Sequence, residues 1–352
     1  MPLSKLERYI ISHVLELAAI VALGLVTIYT LVVFVTDVND MGKNYGTLQV
    51  FEYSALMIPG SLYILMPVVA LLGTLLGVGL LARNGELTAM RAAGLSLLRI
   101  GGATLVAGAA LAVFSFVLGD WLGPAGENFA NHLRDSARGT NSMATSLWLR
   151  DANNVVRIND LEDENDIRDV TVFQLAPDGR LQAASKVDEG RFSDGHWQLS
   201  GIHTTEFGDG GTSVATADQQ DFQGGISPNV LRLFILQAGS LSTHGLLRLI
   251  GYMDENHLDA AKYRLLLWRR LVEPLTVMVM VVFAVPFVTG QTRDIGAGQR
   301  LLAGALVGIA FYVINKVSVS LGDIYQWPAP LAAGLPTIVL ALIAWRRLAR
   351  GS

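Results

Sequence analysis

The sequence predicts a polytopic α-helical membrane protein with six transmembrane helices and a large all-β domain inserted between helices 3 and 4. Three observations support this fold class. Hydrophobic residues make up 51% of the 352 residues and charged residues only 16%, with a mean hydropathy of +0.43, whereas soluble domains are about one-quarter charged. Six apolar stretches are long enough to cross ~30 Å of hydrocarbon. A long polar region with period-two alternation follows the third stretch.

The six predicted spans cover residues 17–35, 54–81, 100–118, 271–290, 301–321 and 327–345. The first is not a cleaved signal peptide, because its apolar core is too long and no small-x-small site follows Val35. Pro59 and Pro67 predict a kink in the second span, where freed carbonyl groups need a neighbouring helix or water.

Lysine and arginine residues are concentrated at one set of span ends: Lys5, Arg8, Arg83, Arg91, Arg99, Arg293, Arg300, Arg346, Arg347 and Arg350. The opposite short loops hold Asp37, Asp40, Lys43 and Asp323. Positively charged loops stay on the cytoplasmic side of a membrane. Both termini and the stretch ARNGELTAMRAAG, residues 82–94, are therefore predicted to be cytoplasmic, and the polar region lies on the outer side.

The polar region, residues 126–262, is acidic, most clearly in DLEDENDIRD at 160–169. Five segments in it alternate apolar and polar residues: NNVVRI, DVTVFQL, RLQAASKV, HWQLSGIHTTEF and TSVATA. Turn signals separate several of them, at 177–179, 193–195 and 208–211. This pattern predicts antiparallel strands in a sandwich or barrel-like module. Residues 240–270 change to helical spacing and lead into the fourth span.

No motif for catalysis, metal binding or nucleotide binding is present in the sequence. The chain has no cysteine, which excludes disulfides and thiolate metal sites. No two histidines have metal-ligand spacing, and His196 and His203 fit two separate strand residues better than a site. The phosphate-loop pattern and the G-x-S-x-G elbow are absent, and no basic cluster suits nucleic acid. We expect a non-enzymatic chain without a bound cofactor.

Two ionisable residues within the predicted spans are candidates for function, because charge in lipid is costly. Glu273 is placed near the inner end of the fourth span, where an interfacial carboxylate paired with Arg269 and Arg270 is favoured over a transport role. Lys316 lies in the outer half of the fifth span. It either snorkels to the outer surface or faces a cavity and attracts an anionic headgroup, and the residues leave both readings open.

The stretch 82–94 has helical spacing over Glu86 to Leu95, with small residues that let another surface approach closely. Met90 offers an adaptable apolar contact, while Glu86 and Arg91 offer directional charge contacts. Two interpretations fit equally well. One is a short docking helix for a cytosolic partner, and the other is an ordinary positive-inside loop with an amphipathic turn.

Several short motifs follow one another along nearly the whole chain: LERYI at 6–10, GELTAMRAAG at 85–94, GDWLGPAGE at 119–127, LWLRDANNVVRI at 147–158, DAAKYRLLLW at 259–268, Arg293 with GQR at 298–300, and FYVINK at 311–316. In this order, and with six spans around one outer β domain, the chain resembles the LptF/LptG family of lipopolysaccharide export permeases. The tryptophan-led WLRDANNVVRI is more similar to the LptG branch. An LptF-like position in the same complex is the alternative.

The resemblance implies a multi-pass protein of the inner (cytoplasmic) membrane of a Gram-negative bacterium, with a periplasmic β-jellyroll-like domain. The implied divisions are 1–125 for helices 1–3, 126–262 for the periplasmic domain with its C-terminal helical connector, and 263–352 for helices 4–6. The implied partners are an LptF-like permease, an LptC-like single-span protein and two LptB-like ATPase subunits that bind ATP and Mg. ATP hydrolysis in those subunits moves lipopolysaccharide through gates at spans one and five onto a periplasmic bridge toward the outer membrane.

The resemblance also implies roles for particular residues. The cytosolic segment 83–95 corresponds to the coupling helix, with Glu86 and Arg91 as polar contacts, Leu87 and Met90 as apolar contacts, and Arg83 and Gly94 in the same ATPase-docking segment. LptG relatives often carry lysines near the outer end of the first span, whereas this chain has Asp37, Asp40 and only Lys43 there. The candidates for contact with lipid phosphates are Lys43, Arg134, Arg138 and Lys316. A membrane-anchored scaffold acting only through its β domain is the competing class.

Overall fold

A computed structural model describes residues 4–38, 41–42, 45–138, 147–151, 154–163, 165–176, 178–193, 195–208, 211–222, 228–235, 240–289 and 297–351. These residues divide into two compact units. The helical unit comprises Met1–Gly42, Gly46–Asn131 and Ala261–Ser352, and the β unit comprises Lys43–Tyr45 and His132–Ala260.

The helices before the sheet are α1 (Lys5–Val38), α2 (Thr47–Leu56), α3 (Ile58–Arg83), α4 (Glu86–Ala92), α5 (Leu97–Val117) and, after a π-helical turn at Leu118–Leu122, α6 (Gly123–Arg138). The strands are β1 (Leu147–Asp151), β2 (Asn154–Asp163), β3 (Asp166–Leu175), β4 (Leu181–Ser193), β5 (His196–Gly208) and β6 (Gly211–Phe222). The later helices are α7 (Pro228–Ile235), α8 (Thr243–Glu255), α9 (Ala261–Thr289), α10 (Ala297–Ile324) and α11 (Ala329–Gly351).

Each predicted span coincides with a helix, namely α1, α3, α5, α9, α10 and α11. Within the described residues, five helical segments are long and apolar enough to cross a membrane: Lys5–Val38, Ile58–Arg83, Arg99–Ala137, Leu302–Ile324 and Ala329–Arg347. Helix α9 is not among them, and its first half carries Arg269, Arg270 and Glu273. A multi-span helical protein is confirmed, and the exact number of six spans stays a prediction.

Helix α3 is the centre of the helical unit, because it is apolar on every side and buried along most of its length. Gly73 and Gly77 let the backbone of α1 approach it closely. A Cβ atom at Gly73 would lie 2.5 Å from the Ala18 Cα, and one at Gly77 would lie 3.0 Å from the Val14 Cα. Small residues at such contacts are how membrane helices gain packing energy without a hydrophobic driving force between them.

The β unit contains one six-stranded antiparallel sheet in the sequential order β1 to β6. All five predicted strand segments lie in β2 to β6, and each predicted turn falls between consecutive strands. The acidic stretch 160–169 covers the end of β2 and the start of β3. The interior is formed by Leu149, Val156, Ile158, Ile167, Val170, Val172, Val187, Trp197, Leu199 and Ile202 of the sheet and Leu231 of α7.

The sheet is a meander, since each described strand pairs only with its sequence neighbours. A jellyroll requires Greek-key pairings between strands that are distant in sequence. The all-β prediction is therefore confirmed at the level of an antiparallel sheet, and the jellyroll topology stays a prediction. Strand β6 forms one edge, and all of its residues except the last are exposed.

Candidate functional site

Helix α4 is a seven-residue helix held between two glycines in the left-handed conformation. Gly85, with φ of 77°, precedes the helix and Gly94, with φ of 94°, follows it. The Gly94 N–H donates to the Arg91 carbonyl at 3.0 Å, and the Leu95 N–H donates to the Met90 carbonyl at 3.0 Å. Glycine adopts this conformation without the steric cost that a side chain brings. The two glycines thus fix where the chain turns between α3 and α5.

The apolar residues of α4 face the interior of the helical unit. Leu87 and Met90 are each 6% exposed and belong to the same core as residues of α1, α3, α5 and α9. The exposed residues of segment 83–95 are Arg83, Asn84, Gly85, Thr88, Ala89, Arg91, Ala92, Ala93 and Gly94. Leu87 and Met90 thus anchor α4 in the helical unit, and their expected role as contacts with a partner stays a prediction. The outward surface consists of small, polar and basic residues.

Glu86 connects α4 to the first helix. The Tyr9 hydroxyl donates to Glu86 Oε2 at 2.9 Å, and the Asn84 amide donates to Oε1 at 3.2 Å. The Tyr9 ring stacks on His13, with 5.5 Å between ring centroids. Glu86 therefore accepts hydrogen bonds within its own chain, and the sequence did not predict this. No local pattern joins two residues 77 positions apart, although Tyr9 lies within the family-like motif LERYI.

At the end of the bundle opposite α4, a cavity of about 190 Å³ lies between α3, α9 and α10. We call it the polar pocket. Its polar lining is Arg269, Glu273, Tyr312, Asn315 and Lys316, and its apolar lining is Ile64, Pro67, Val68, Phe311 and Val319. The alternative in which Lys316 faces a cavity is thereby supported.

The interpretation of Glu273 as an inner interfacial carboxylate paired with Arg269 and Arg270 is wrong in two respects. Arg270 instead pairs with Asp120 of the π-helical turn, with 3.6 Å between Nη1 and Oδ1. Since α5 starts beside α4 and ends at this turn, Arg270 and Glu273 lie at the opposite end of the bundle from α4. Asp120 is the third residue of the π-helical turn, a feature that is rare in helices and frequent at functional sites.

The other lipid-path candidates that the structure describes lie in the β unit. Arg134 is half-buried on α6, Arg138 is the last residue of that helix, and both belong to the β unit. Lys43 lies outside the described residues. Within the part of the chain that the structure describes, no group of three or more His, Cys, Asp or Glu residues is placed to hold a metal ion.

A bundle of membrane-spanning helices, a short helix anchored between α3 and α5, and an antiparallel β domain define a multi-span membrane protein of the permease type. The family model described as lipopolysaccharide export system permease LptF/LptG matches residues 8–350, and the chain belongs to this family. It is 28% identical over 360 residues to the lipopolysaccharide export system permease protein LptG of Escherichia coli K12, covering 100% of this chain and 99% of that protein. It is also 28% identical over 357 residues to LptG of Haemophilus influenzae, covering 99% of each.

Proposed function

We propose that this chain is the LptG-type permease subunit of an ATP-driven exporter that extracts lipopolysaccharide from the inner membrane and passes it toward the outer membrane. The observation that supports this most strongly is full-length similarity to proteins named LptG in two genera. The partners in this proposal are an LptF-like permease, two LptB-like ATPase subunits and an LptC-like single-span protein. Since the sequence has no phosphate loop, ATP and Mg bind to the ATPase subunits.

The proposed arrangement has six spans and places both termini and α4 in the cytoplasm. Residues 1–125 and 263–352 form the membrane part, and residues 126–262 form the periplasmic domain with its helical connector. The β domain takes the place of the family jellyroll. Strands β1 and β6 are the edges of the described sheet, and edge strands suit strand addition by a neighbouring β domain on the periplasmic bridge.

In this proposal α4 is the coupling helix, within segment 83–95. Its exposed face, with Ala89 and Arg91, lies against the ATPase. Leu87 and Met90 connect that face to the core of the bundle, and Glu86 connects it to α1 through Tyr9. A displacement of the ATPase would then move α1 and α3 together, because packed elements transmit displacement through contiguous contacts.

Lys43, Arg134, Arg138 and Lys316 are the proposed contacts with lipid phosphates along the path of the substrate. Lys316 has the best structural support, because it lies on the wall of the polar pocket near the outer end of α10. A lysine ammonium is a suitable point charge for a phosphate group. Divalent cations bridging acidic side chains to phosphate are an alternative at Asp37 and Asp40.

The docking role is tested by co-expressing the chain with its three partner types and isolating the complex through a tag on the ATPase. Arg91→Glu reverses a charge on the exposed face of α4, and Arg346→Glu makes the same change on an exposed residue of α11. We expect Arg91→Glu to reduce recovery of the complex at least fivefold, while Arg346→Glu leaves it unchanged.

Two results would reject the proposal. If the chain with all three partner types yields no complex that hydrolyses ATP and retains lipopolysaccharide, the exporter assignment is wrong. If Arg91→Glu and Arg346→Glu assemble equally well while changes in β6 prevent assembly, the scaffold class replaces it.

A further inference from the structure

The charged residues that line the polar pocket form no ion pairs with described residues, in contrast to a buried ion pair close by. Arg270 and Asp120, one turn away, form an ion pair in which the side chains are only 10% and 13% exposed. Glu273 is 8% exposed. Within the described part of the chain, no hydrogen bond or ion pair reaches its carboxylate; the Arg269 charge acts on it only through space. A buried carboxylate without a direct partner is costly, above all at membrane depth.

The two cations on the pocket wall are also available to a ligand. Arg269 and Lys316 are exposed and form no ion pair among the described residues. One carboxylate and two cations thus face one cavity from α9 and α10. A ligand with only a negative charge would pair with Arg269 and Lys316 but be repelled by Glu273. A ligand with only a positive charge would pair with Glu273 but be repelled by the two cations. A ligand that carries a phosphate and an ammonium group side by side satisfies all three charges.

The depth of the pocket suits a headgroup rather than an acyl chain. Lys316 precedes the end of α10 at Ile324 by about two helical turns, which is roughly 12 Å at 1.5 Å per residue. The volume of about 190 Å³ exceeds the ~150 Å³ of an apolar cavity that holds benzene. The apolar lining from Ile64, Val68 and Phe311 is available to the glycerol or sugar carbons next to the headgroup.

We propose that the polar pocket binds a lipid headgroup in which a phosphate ester carries a primary ammonium group, as in phosphoethanolamine. Arg269 and Lys316 bind the phosphate, Glu273 accepts hydrogen bonds from the ammonium, and Asn315 and Tyr312 line the same wall. This inference rests on the proposed function, because the exporter exposes this end of the bundle to the outer leaflet. It assigns Glu273 a role in selecting the headgroup, which a purely cationic phosphate site does not have.

The test is a lipid titration of the complete permease–ATPase complex, measured by native mass spectrometry. Three lipids with identical acyl chains are compared: phosphatidylethanolamine, phosphatidylcholine and phosphatidylglycerol. We expect the wild-type complex to prefer phosphatidylethanolamine over each of the others by about tenfold. Phosphatidylcholine tests the ammonium specifically, because its methyl groups remove every N–H donor.

Two substitutions separate the parts of the pocket. Glu273→Gln should remove the preference for phosphatidylethanolamine while phosphatidylglycerol still binds, since only the ammonium contact is lost. Lys316→Gln should weaken binding of all three lipids. Glu52→Gln, the same change at an exposed residue of α2, should keep the wild-type preference. Equal preference in the wild type and in Glu273→Gln would overturn the proposal, as would a wild type without preference.

Two sources can supply this headgroup, namely a membrane phospholipid and a lipopolysaccharide with phosphoethanolamine on its phosphates. The titration is therefore repeated with lipopolysaccharide that carries or lacks this group. If Glu273→Gln weakens binding only of lipopolysaccharide that carries phosphoethanolamine, the transported lipid is the ligand. If it also weakens binding of phosphatidylethanolamine, the pocket is a general headgroup site. A complex that transports lipopolysaccharide without any headgroup preference rejects the pocket and leaves the proposed function intact.

Discussion

The helical unit and the β unit use charge in opposite ways. In the β unit, Arg180 and Asp178 approach to 2.6 Å and Arg191 and Asp166 to 2.9 Å, but all four side chains are at least 40% exposed. In the helical unit, Arg270 and Asp120 are further apart, at 3.6 Å, yet hardly exposed. Water screens the shorter contacts and not the longer one. Burial therefore matters more than distance in deciding how much stability is lost when one partner of a pair is removed.

The same difference has a consequence for ligand binding. An exposed charge in the β unit is solvated whether or not it has a partner, so its presence indicates little about function. A buried charge in the helical unit must instead be stabilised by another group of the chain or by a ligand. Asp120 and Arg270 form an ion pair within the chain. Glu273 has no direct partner among the described residues, and this is why the polar pocket indicates a ligand.

The largest effect is expected on removing Asp120. Asp120→Ala leaves the buried Arg270 without its carboxylate partner, and breaking such a pair costs about 3 kcal/mol or more. The matched change Asp178→Ala removes an exposed partner whose charge is screened by water, so it should cost far less. Thermal unfolding of the detergent-solubilised chain, followed by tryptophan fluorescence and circular dichroism, measures both. Equal losses in the two variants would contradict the contrast between the units.

A double variant tests whether the loss comes from the unpaired charge. Asp120→Leu with Arg270→Met replaces both charges by apolar side chains, and such replacements of buried pairs are often neutral. We expect the double variant to unfold at a higher temperature than Asp120→Ala alone. A double variant that is no more stable than Asp120→Ala would assign the loss to altered packing around the π-helical turn.

The second effect concerns the close approach of α1 and α3. Gly73→Ala places a Cβ atom 2.5 Å from the Ala18 Cα, a backbone neighbour that cannot rotate away. Overpacking of this kind costs about 1–3 kcal/mol. Gly24→Ala on α1 is the control, because no atom lies within 4 Å of the added Cβ and alanine favours a helix by about 1 kcal/mol over glycine. Opposite shifts in unfolding temperature are expected, and a loss in both variants would contradict the close contact.

The strands of the β unit were predictable because the alternation of apolar and polar residues along a strand shows which side chains face the interior. Alternation of apolar and polar residues located β2 to β6, and Asp-Gly turns located the hairpins, including Gly179 and Gly195 with φ of 83° and 85°. Strand β1 was not predicted as a separate strand, since it is only five residues long. The pairing partners follow from short hairpins, so sequential order alone was sufficient for the sheet.

For the helical unit, the sequence predicted the lengths of the helices but not which face of each helix points inward. Membrane spans are apolar on all sides, so periodicity did not indicate which face of α9 lies inward. The partner of Arg270 is Asp120, which lies in a π-helical turn that no sequence signal marked. Leu87 and Met90 illustrate the same limit, because an apolar residue on a short helix suits a core and a partner equally well. The family likeness located the segment but not the direction of its side chains.

A smaller effect is expected from the contact between α1 and α4. Tyr9→Phe removes the hydroxyl that donates to Glu86 at 2.9 Å, an exposed hydrogen bond whose net contribution is modest. In the proposed exporter this weakens the connection between the ATPase and α1. Lipopolysaccharide-stimulated ATP hydrolysis should fall by up to about fivefold, whereas Tyr325→Phe, at an exposed tyrosine at the opposite end of the bundle, should not change it. Unchanged stimulation in Tyr9→Phe would show that α4 acts on the bundle through Leu87 and Met90 alone.

The smallest effect is a pH dependence in the β unit. The hydrogen bond that Asn159 donates to Asp169 at 2.9 Å, with the nearby Lys186 charge, lowers the pKa of Asp169. A carboxylate whose pKa is lowered in the folded state stabilises the protein at pH values above its unfolded pKa of about 3.9. That stability is lost as the pH falls through the folded pKa. Asn159→Ala should therefore reduce protection of β2 and β3 amides from hydrogen exchange at about pH 6, where Asp169 is ionised. It should have almost no effect at a pH low enough to protonate the carboxyl group in both variants. Gln174→Ala, at an exposed amide side chain of β3, is the control, and a loss in Asn159→Ala that is equal at both pH values would mean that Asn159 acts through packing rather than through the charge of Asp169.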